Sequence, residues 1–336
     1  MSLCKGVGAA GYHDLIAEFG SAAQAIAAPR FVAMREKLLE HADAAMRDAE
    51  RLSARLILHG DEGYPPRLLH LPDPPPAIWL YGNDAMLASP VVAIVGTRNS
   101  TPYGERITRE LASALARAGA CIMSGMARGI DAEAHRGALE AGGRTAAVLG
   151  TGIDIAYPVA HRTLHRNIGS HGLLISELPC GDRAHKGSFP RRNRIIAALA
   201  DATIVVEAGA KSGAIITADH ALDLGRTLAA VPGQIDLPQA AGSNKLLRDG
   251  AIVIADITDA LTLVGLTPRR TLPVRLESKA EERVWEALAL GAQSMDELCA
   301  NVALPARECI AAVGAMELRG MLACALTGEI TRRGTG

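Results

Sequence analysis

The sequence predicts an α/β protein built on a doubly wound, mostly parallel sheet, flanked by a helical segment before it and a smaller module after it. Three observations carry this. Six short apolar runs recur from Val91 to Val231 with no polar alternation. Amphipathic segments of helical period separate them. A proline-dense stretch precedes the series, and a Thr/Pro/Arg-rich stretch follows it. Strands buried on both faces need uninterrupted apolar, β-branched-rich runs, and strand–helix alternation gives a parallel sheet.

In chain order, residues 1–58 are Ala-rich with helical periodicity, for example Leu15, Ile16 and Phe19. Gly6-Val-Gly8 ahead of the first helix reads either as a turn between helices or as one hairpin of a helix-hairpin-helix, whose amides hold a phosphate. Asp61–Pro66 and Leu71–Pro76 are too rich in proline for helix or central strand and mark a boundary. The expected strands are Val91–Val95, Cys121–Met123, Ala146–Leu149, Leu173–Ile175, Thr203–Val206 and Leu228–Val231, with helices such as Glu105–Ala118 and Ala214–Leu224 between them. This places the sheet domain at 61–266. After the linker Thr267–Pro273, residues 277–336 read as helix, short helix, longer helix and a strand-like tail, the order of a winged helix.

Composition limits the function. Hydrophobic residues make up 49% and charged residues 21% of the 336, a globular balance. The formal net charge of −1 argues against a general polycation, so any anion site is a local patch. Residues 277–336 carry six Lys/Arg against nine Asp/Glu, an unsuitable charge for a module that reads DNA. The six cysteines form no Cys-x-x-Cys pair and read as reduced thiols, with no metal site. No apolar run reaches the roughly 18 residues of a membrane span, and the N-terminus lacks a signal-peptide pattern, so a cytoplasmic protein is expected.

Arg183–Arg194 (Arg-Ala-His-Lys-Gly-Ser-Phe-Pro-Arg-Arg-Asn-Arg) is the densest positive stretch, with no acid and one aromatic. Burial of such a cluster is disfavoured, so two readings stand: an ordinary solvated loop, or a loop at the domain edge facing a polyanion, its cations on phosphates and Phe189 stacked on a base. In open parallel sheets, ligands bind outside the carboxyl ends of the strands. Gly96–Gly104 follows the first strand; it is neither a dinucleotide fingerprint nor a Walker loop, yet it offers Arg98, hydroxyls and a helix N-terminus. Two readings of Arg98 stand: a phosphate contact, or an ion pair internal to the fold. Ser124–Asp131 brings two glycines and Asp131, with His135 one turn on; these two form an acid/base pair or serve as buried hydrogen-bonding groups. Gly150–Pro158 adds Tyr157 as a possible stacking face, and Glu207–Thr217 adds Lys211, Ser212 and Gly213 at a helix start. Cations at several strand ends of one sheet favour an extended polyanion over a small ligand.

Val92-Ala-Ile-Val-Gly-Thr-Arg98, Ser124-Gly-Met-Ala-Arg-Gly-Ile-Asp131 with His135, Ser176-Glu-x-Pro179, Phe189-Pro-x-Arg-Asn-Arg-Ile-Ile196, Lys211-Ser-Gly213 and Val231-Pro-Gly233 followed by Gly242–Ala251 together resemble the bacterial DNA-processing protein A family (DprA/Smf). The resemblance implies a Rossmann-like central domain with an N-terminal SAM-like helical domain (1–58) and a C-terminal winged-helix domain. It also implies a homodimer that binds single-stranded DNA, protects incoming DNA and loads the RecA recombinase in natural transformation, with no catalytic residue and no cofactor. By motif position, Arg98, Lys186, Phe189 and Lys211 would touch DNA, and Gly187, Ser188, Asn193, Arg194, Ser212 and Gly213 would line the same pocket. The competing expectation is a nucleotide phosphoribohydrolase of the lysine-decarboxylase-like group. That chemistry needs a carboxylate where this chain has Ile215 and Ile216.

Overall fold

A computed structural model describes residues 7–185, 187–267, 276–288, 293–325 and 328–332. Met1–Pro268 and Arg269–Gly336 are two compact units.

In the first unit, α1 (Ala9–Phe19), α2 (Ala22–Ala27) and α3 (Arg35–Arg51) precede the strands β1 (Arg55–Leu58) and β2 (Ala77–Gly82). The α/β series follows: β3 (Val91–Val95), α4 (Pro102–Arg117), β4 (Cys121–Ser124), α5 (Ile130–Glu140), β5 (Arg144–Val148), α6 (Arg162–His171), β6 (Leu173–Ser176), α7 (Ser188–Leu199), β7 (Ala202–Val205), α8 (Gly213–Asp223), β8 (Thr227–Ala230), α9 (Ala241–Arg248), β9 (Ile252–Val253) and α10 (Ile257–Thr262). Among the described residues, nine strands form one sheet in the order β1-β2-β6-β5-β4-β3-β7-β8-β9. Pairing is parallel from β6 to β9, and antiparallel where β2 meets β1 and β6. All six expected strands are present.

The pleat explains why the runs are apolar throughout. Along β3, Val91, Ala93 and Val95 enter a core shared with α7 and α8, whereas Val92 and Ile94 enter the opposite core with α4, α5 and α10. Every β3 side chain is thus removed from water. α4 buries Thr108, Leu111, Ala112 and Leu115, a helical-period stripe. Its start is set by Thr101, whose hydroxyl accepts the Gly104 amide, and by Pro102 at the first helical position.

Two expectations need correction. Residues 1–58 do not end as helix: Arg55–Leu58 pairs with β2 as the sheet edge, and α3 buries Ala45 and Ala49 in a core shared with Trp79, Leu149 and Ile168. The alanines of α3 permit that close approach, so the helical segment and the sheet are one unit. The prolines at Pro74–Pro76 do not close a domain; β2 starts directly after them.

In the second unit, α11 (Lys279–Ala287), β10 (Gln293–Ser294), α12 (Met295–Val302), α13 (Ala306–Leu318), β11 (Leu322–Cys324) and β12 (Glu329–Arg332) enclose a core including Val284, Leu298, Val313, Met316 and Ile330. The three strands pair antiparallel in the order β10-β12-β11, and α12 meets α13 at 115°, which is a winged-helix arrangement. The linker expected at Thr267–Pro273 lies, from residue 268 on, outside the described residues. Among those described, no single helix is long and apolar enough to cross a membrane.

Candidate nucleic-acid interface

The chain runs β3 to β6 across one half of the sheet, then returns through α7 to place β7 on the other side of β3. Between β3 and β7 the winding direction reverses, and a crevice opens beyond their carboxyl ends. A cleft of about 540 Å³ lies there, lined by Arg98, Phe189, Asn193, Lys211, Ser212 and Gly213 among others.

The cleft is built from the inside outwards. Arg192, buried at the base, donates to the Val148 carbonyl and, through Nε, to Asn193 Oδ1 at 3.2 Å. Burial lowers its pKa to about 10, and Arg98 pushes the same way, while Asp131 opposes them. Asp131 accepts the amides of Gly125 (3.2 Å) and Ala127 (3.4 Å); burial raises its pKa, opposed chiefly by Arg192. Gly125 has no side chain because the Arg192 guanidinium fills that space. Asn193 Nδ2 donates to the Gly213 carbonyl at 3.1 Å, tying α7 to the start of α8. Ser212 caps α8 by accepting the Ala214 amide. The positive end of the α8 dipole and the exposed Lys211 give this wall a positive potential.

The opposite wall is aromatic. Phe189, half-buried, lies in the first turn of α7, with Tyr157 tilted against it at 5.0 Å between ring centroids. The Arg98 guanidinium carbon sits 5.2 Å from the Phe189 centroid, within cation–π range. Gly150 makes the room: a Cβ there would come within 2.8 Å of the Phe189 ring. Among the described residues Arg98 has no carboxylate partner, so the internal ion pair offered as its second reading is absent.

Glu207 holds the loop that carries Arg98. Its buried carboxylate accepts the Thr101 amide at 2.9 Å and the Thr101 hydroxyl at 2.5 Å, and its carbonyl accepts the Thr97 amide at 2.6 Å.

The structure therefore brings Arg98, Phe189, Asn193, Lys211, Ser212 and Gly213 to one cleft and leaves three expected residues off its lining. Gly187 is the cap of α7 at φ 108°, and Ser188 is buried with its hydroxyl 2.7 Å from His185 Nδ1. Arg194 points the other way: its Nη2 meets Glu177 at 2.5 Å and its Nε lies 3.7 Å from Asp73, with both Arg194 and Glu177 nearly buried. Lys186 lies outside the described residues. The expectation of an exposed loop over Arg183–Arg194 is also corrected. From Ser188 on the stretch is helix, so Arg192 and Arg194 turn inward, where Asp131 and Glu177 offset their burial. Asp131 and His135 do not pair. His135 Nδ1 lies 2.7 Å from the Thr145 hydroxyl, which itself donates to the Ile122 carbonyl, and burial pushes the ring down to about 3. Sequence reasoning missed the part of Arg192, although its spacing to Ser188, Ile195 and Leu199 places it on the buried face of one helix.

The family model for DNA recombination-mediator protein A matches residues 55–265, and that for the DprA winged helix domain matches 268–325. The chain belongs to the DNA recombination-mediator protein A family. Within it, the chain is 40% identical to the protein Smf of Synechocystis sp. over 66% of its own length and 57% of that protein's. In three dimensions it is similar to DNA processing protein A from Streptococcus pneumoniae, with a TM-score of 0.67 and 32% identity over 76% of this chain and 93% of the other. It is also similar to DNA processing protein A from Helicobacter pylori, with a TM-score of 0.58 and 33% identity over 63% and 96% of the two chains. That second structure concerns the single-stranded DNA binding mode of the Helicobacter protein.

Proposed function

We propose that this chain binds single-stranded DNA in the cleft between β3 and β7 without turning it over. The observation that carries the reading is the Arg98–Phe189 pair lining one cleft together with Lys211 and the start of α8. Phosphates pass between the two cations, and a base lies on an aromatic face, a combination that reads no base edge and tolerates any sequence. A duplex keeps its bases stacked inside and offers nothing to Phe189. The Helicobacter relative's single-stranded DNA binding supports the same reading.

As a member of the family, the chain would act in the cytoplasm as a homodimer that protects incoming single strands and loads RecA onto them during natural transformation and recombination. Lys186, next to Gly187, would add a third phosphate contact. Nothing favours the phosphoribohydrolase alternative, since Ile215 and Ile216 stand where its carboxylate belongs and Glu207 is spent on Thr101.

Fluorescence anisotropy with a labelled single strand and the matching duplex at one salt concentration tests the reading. Tighter binding of the single strand, little changed by its sequence, is expected; equal affinity for both forms overturns it.

A further inference from the structure

Beside the cleft lies a second cavity, of about 820 Å³, that the proposed contacts leave unused. Leu52, Ile153 and Ile155 are among its apolar lining residues, and Arg162, Arg166 and Arg183 bring positive charge to it. The two cavities share the aromatic pair: Phe189 lines the first, Tyr157 lines the second, and their rings touch.

Several features of this cavity are unfavourable or unpartnered in the protein alone. Arg162 and Arg166 stand one turn apart on α6, a like-charge spacing that destabilises a helix. Arg162 is the first residue of α6, where the helix dipole disfavours a cation. Among the described residues none of the three arginines has a carboxylate partner, and all are exposed. Asp154, the acid among the lining residues, instead accepts the Gly181 amide at 3.0 Å through both oxygens. Tyr157 is 46% exposed although its ring is apolar, and the buried Nε2 of His165, at the same cavity, has no partner. A ligand carrying several negative charges and flat rings would offset the like charges on α6 and cover the exposed Tyr157 ring.

We propose that this cavity is a second subsite for the same DNA strand, which leaves the first cleft across Phe189, passes Tyr157, and sets its next phosphates against Arg162, Arg166 and Arg183. The proposal rests on the single-strand reading of the first cleft. The apolar lining with cations beside it suits a polynucleotide, whose bases and phosphates alternate, better than a free inorganic anion.

The test compares oligothymidylates of about six and about eighteen nucleotides, the first confined to one cleft and the second able to span both. The full chain is used, with the combined variant Arg162→Ala, Arg166→Ala, Arg183→Ala beside the wild type. The expected result is unchanged affinity for the short strand and at least about tenfold weaker binding of the long one. The salt slope for the long strand should fall by about 2, at about 0.7 for each phosphate contact. Replacing the same three residues by Lys should restore the slope. Tyr157→Ala should weaken the long strand with its slope unchanged, since stacking releases no counterion. An unchanged affinity and slope for the long strand overturns the inference and leaves the first cleft standing. Equal weakening of both strands with a lowered melting temperature also overturns it, as the arginines would then be structural. Wild-type protein that holds neither strand sinks this inference together with the reading beneath it.

Discussion

The Glu207 carboxylate accepts both the amide and the hydroxyl of Thr101, so the end of β7 holds the loop after β3 across the point where the sheet reverses. Thr101 in turn caps α4, and Arg98 sits three residues before it. A residue outside the cleft lining thereby sets the position of a proposed phosphate contact. Glu207→Ala should cost about 2 kcal/mol of unfolding free energy, because a part-buried amide and hydroxyl lose a charged acceptor. It should also weaken single-strand binding. Denaturant unfolding and anisotropy on the same preparation check this; full affinity in a destabilised variant would free the Arg98 loop from this role.

Arg98→Ala and Lys211→Ala should each weaken binding of all sequences alike. Each should lower the slope of log affinity against log salt by about 0.7. Titrations at four or five salt concentrations give the slope directly, and a lower affinity at constant slope would assign either residue a structural part instead.

Phe189→Ala should cost about 1–3 kcal/mol of binding with little change in melting temperature, since the ring is half-buried on the cleft wall. Gly150→Ala should mimic it without touching the ring's chemistry, because the added methyl occupies the space of the Phe189 edge. If Phe189 instead served as core, its replacement would lower stability by about 3 kcal/mol or more, visible in thermal melts.

Arg194→Ala should do the opposite of Arg98→Ala. It leaves Glu177 buried without its closest partner and should cost about 3–5 kcal/mol of stability, with the salt slope of binding unchanged. A reduced slope in this variant would mean that the Glu177 pair opens to release Arg194 to DNA.

His135 makes stability fall in acid. Its folded-state pKa, lowered to about 3 by burial and by Arg192 and His161, lies below its ordinary 6.5. The unfolded chain therefore takes up the proton first. The stabilisation is complete above about pH 6.5 and is lost as pH falls towards 3, at up to about 1.4 kcal/mol per pH unit. Asp131, raised by burial, acts with the opposite sign. The comparison to make is thus between wild type and His135→Leu, whose acid-side slope should be shallower.

Much of this fold was legible from residue patterns because the central strands are buried on both faces. Val91–Val95 and Thr203–Val206 have no polar residue to blur their edges beyond one threonine, and they bracket the switch point. β1 escaped notice because Arg55–Leu58 is four residues long and starts on an exposed arginine. β2 was hidden behind Pro74–Pro76, prolines that end just where its ladder begins. At the cleft, Arg98, Phe189 and Lys211 were readable as cations and an aromatic near strand ends, whereas Asn193 came only with the family resemblance. The inward turn of Arg194 was not, because its partner Glu177 lies on the far side of the β6–α7 connection. A run of basic residues looks alike whether its helix phase points it to water or to a buried carboxylate. The phase became visible only once α7 was seen to start at Ser188.

The placement of the cleft at β3 and β7 has a mechanical consequence. These strands lie inside the sheet and pair in parallel with one another, four residues against four, with β4 and β8 on their other sides. A pull on a polymer held at Arg98 and Lys211, as proposed, and directed along the strands would enter the sheet through both at once. Neighbouring hydrogen bonds then share that load in shear instead of opening one after another from an edge. A chain that grips a long strand while other machinery tugs on it would transmit the tension into its most resistant layer, leaving the marginal outer strands β1 and β9 unloaded.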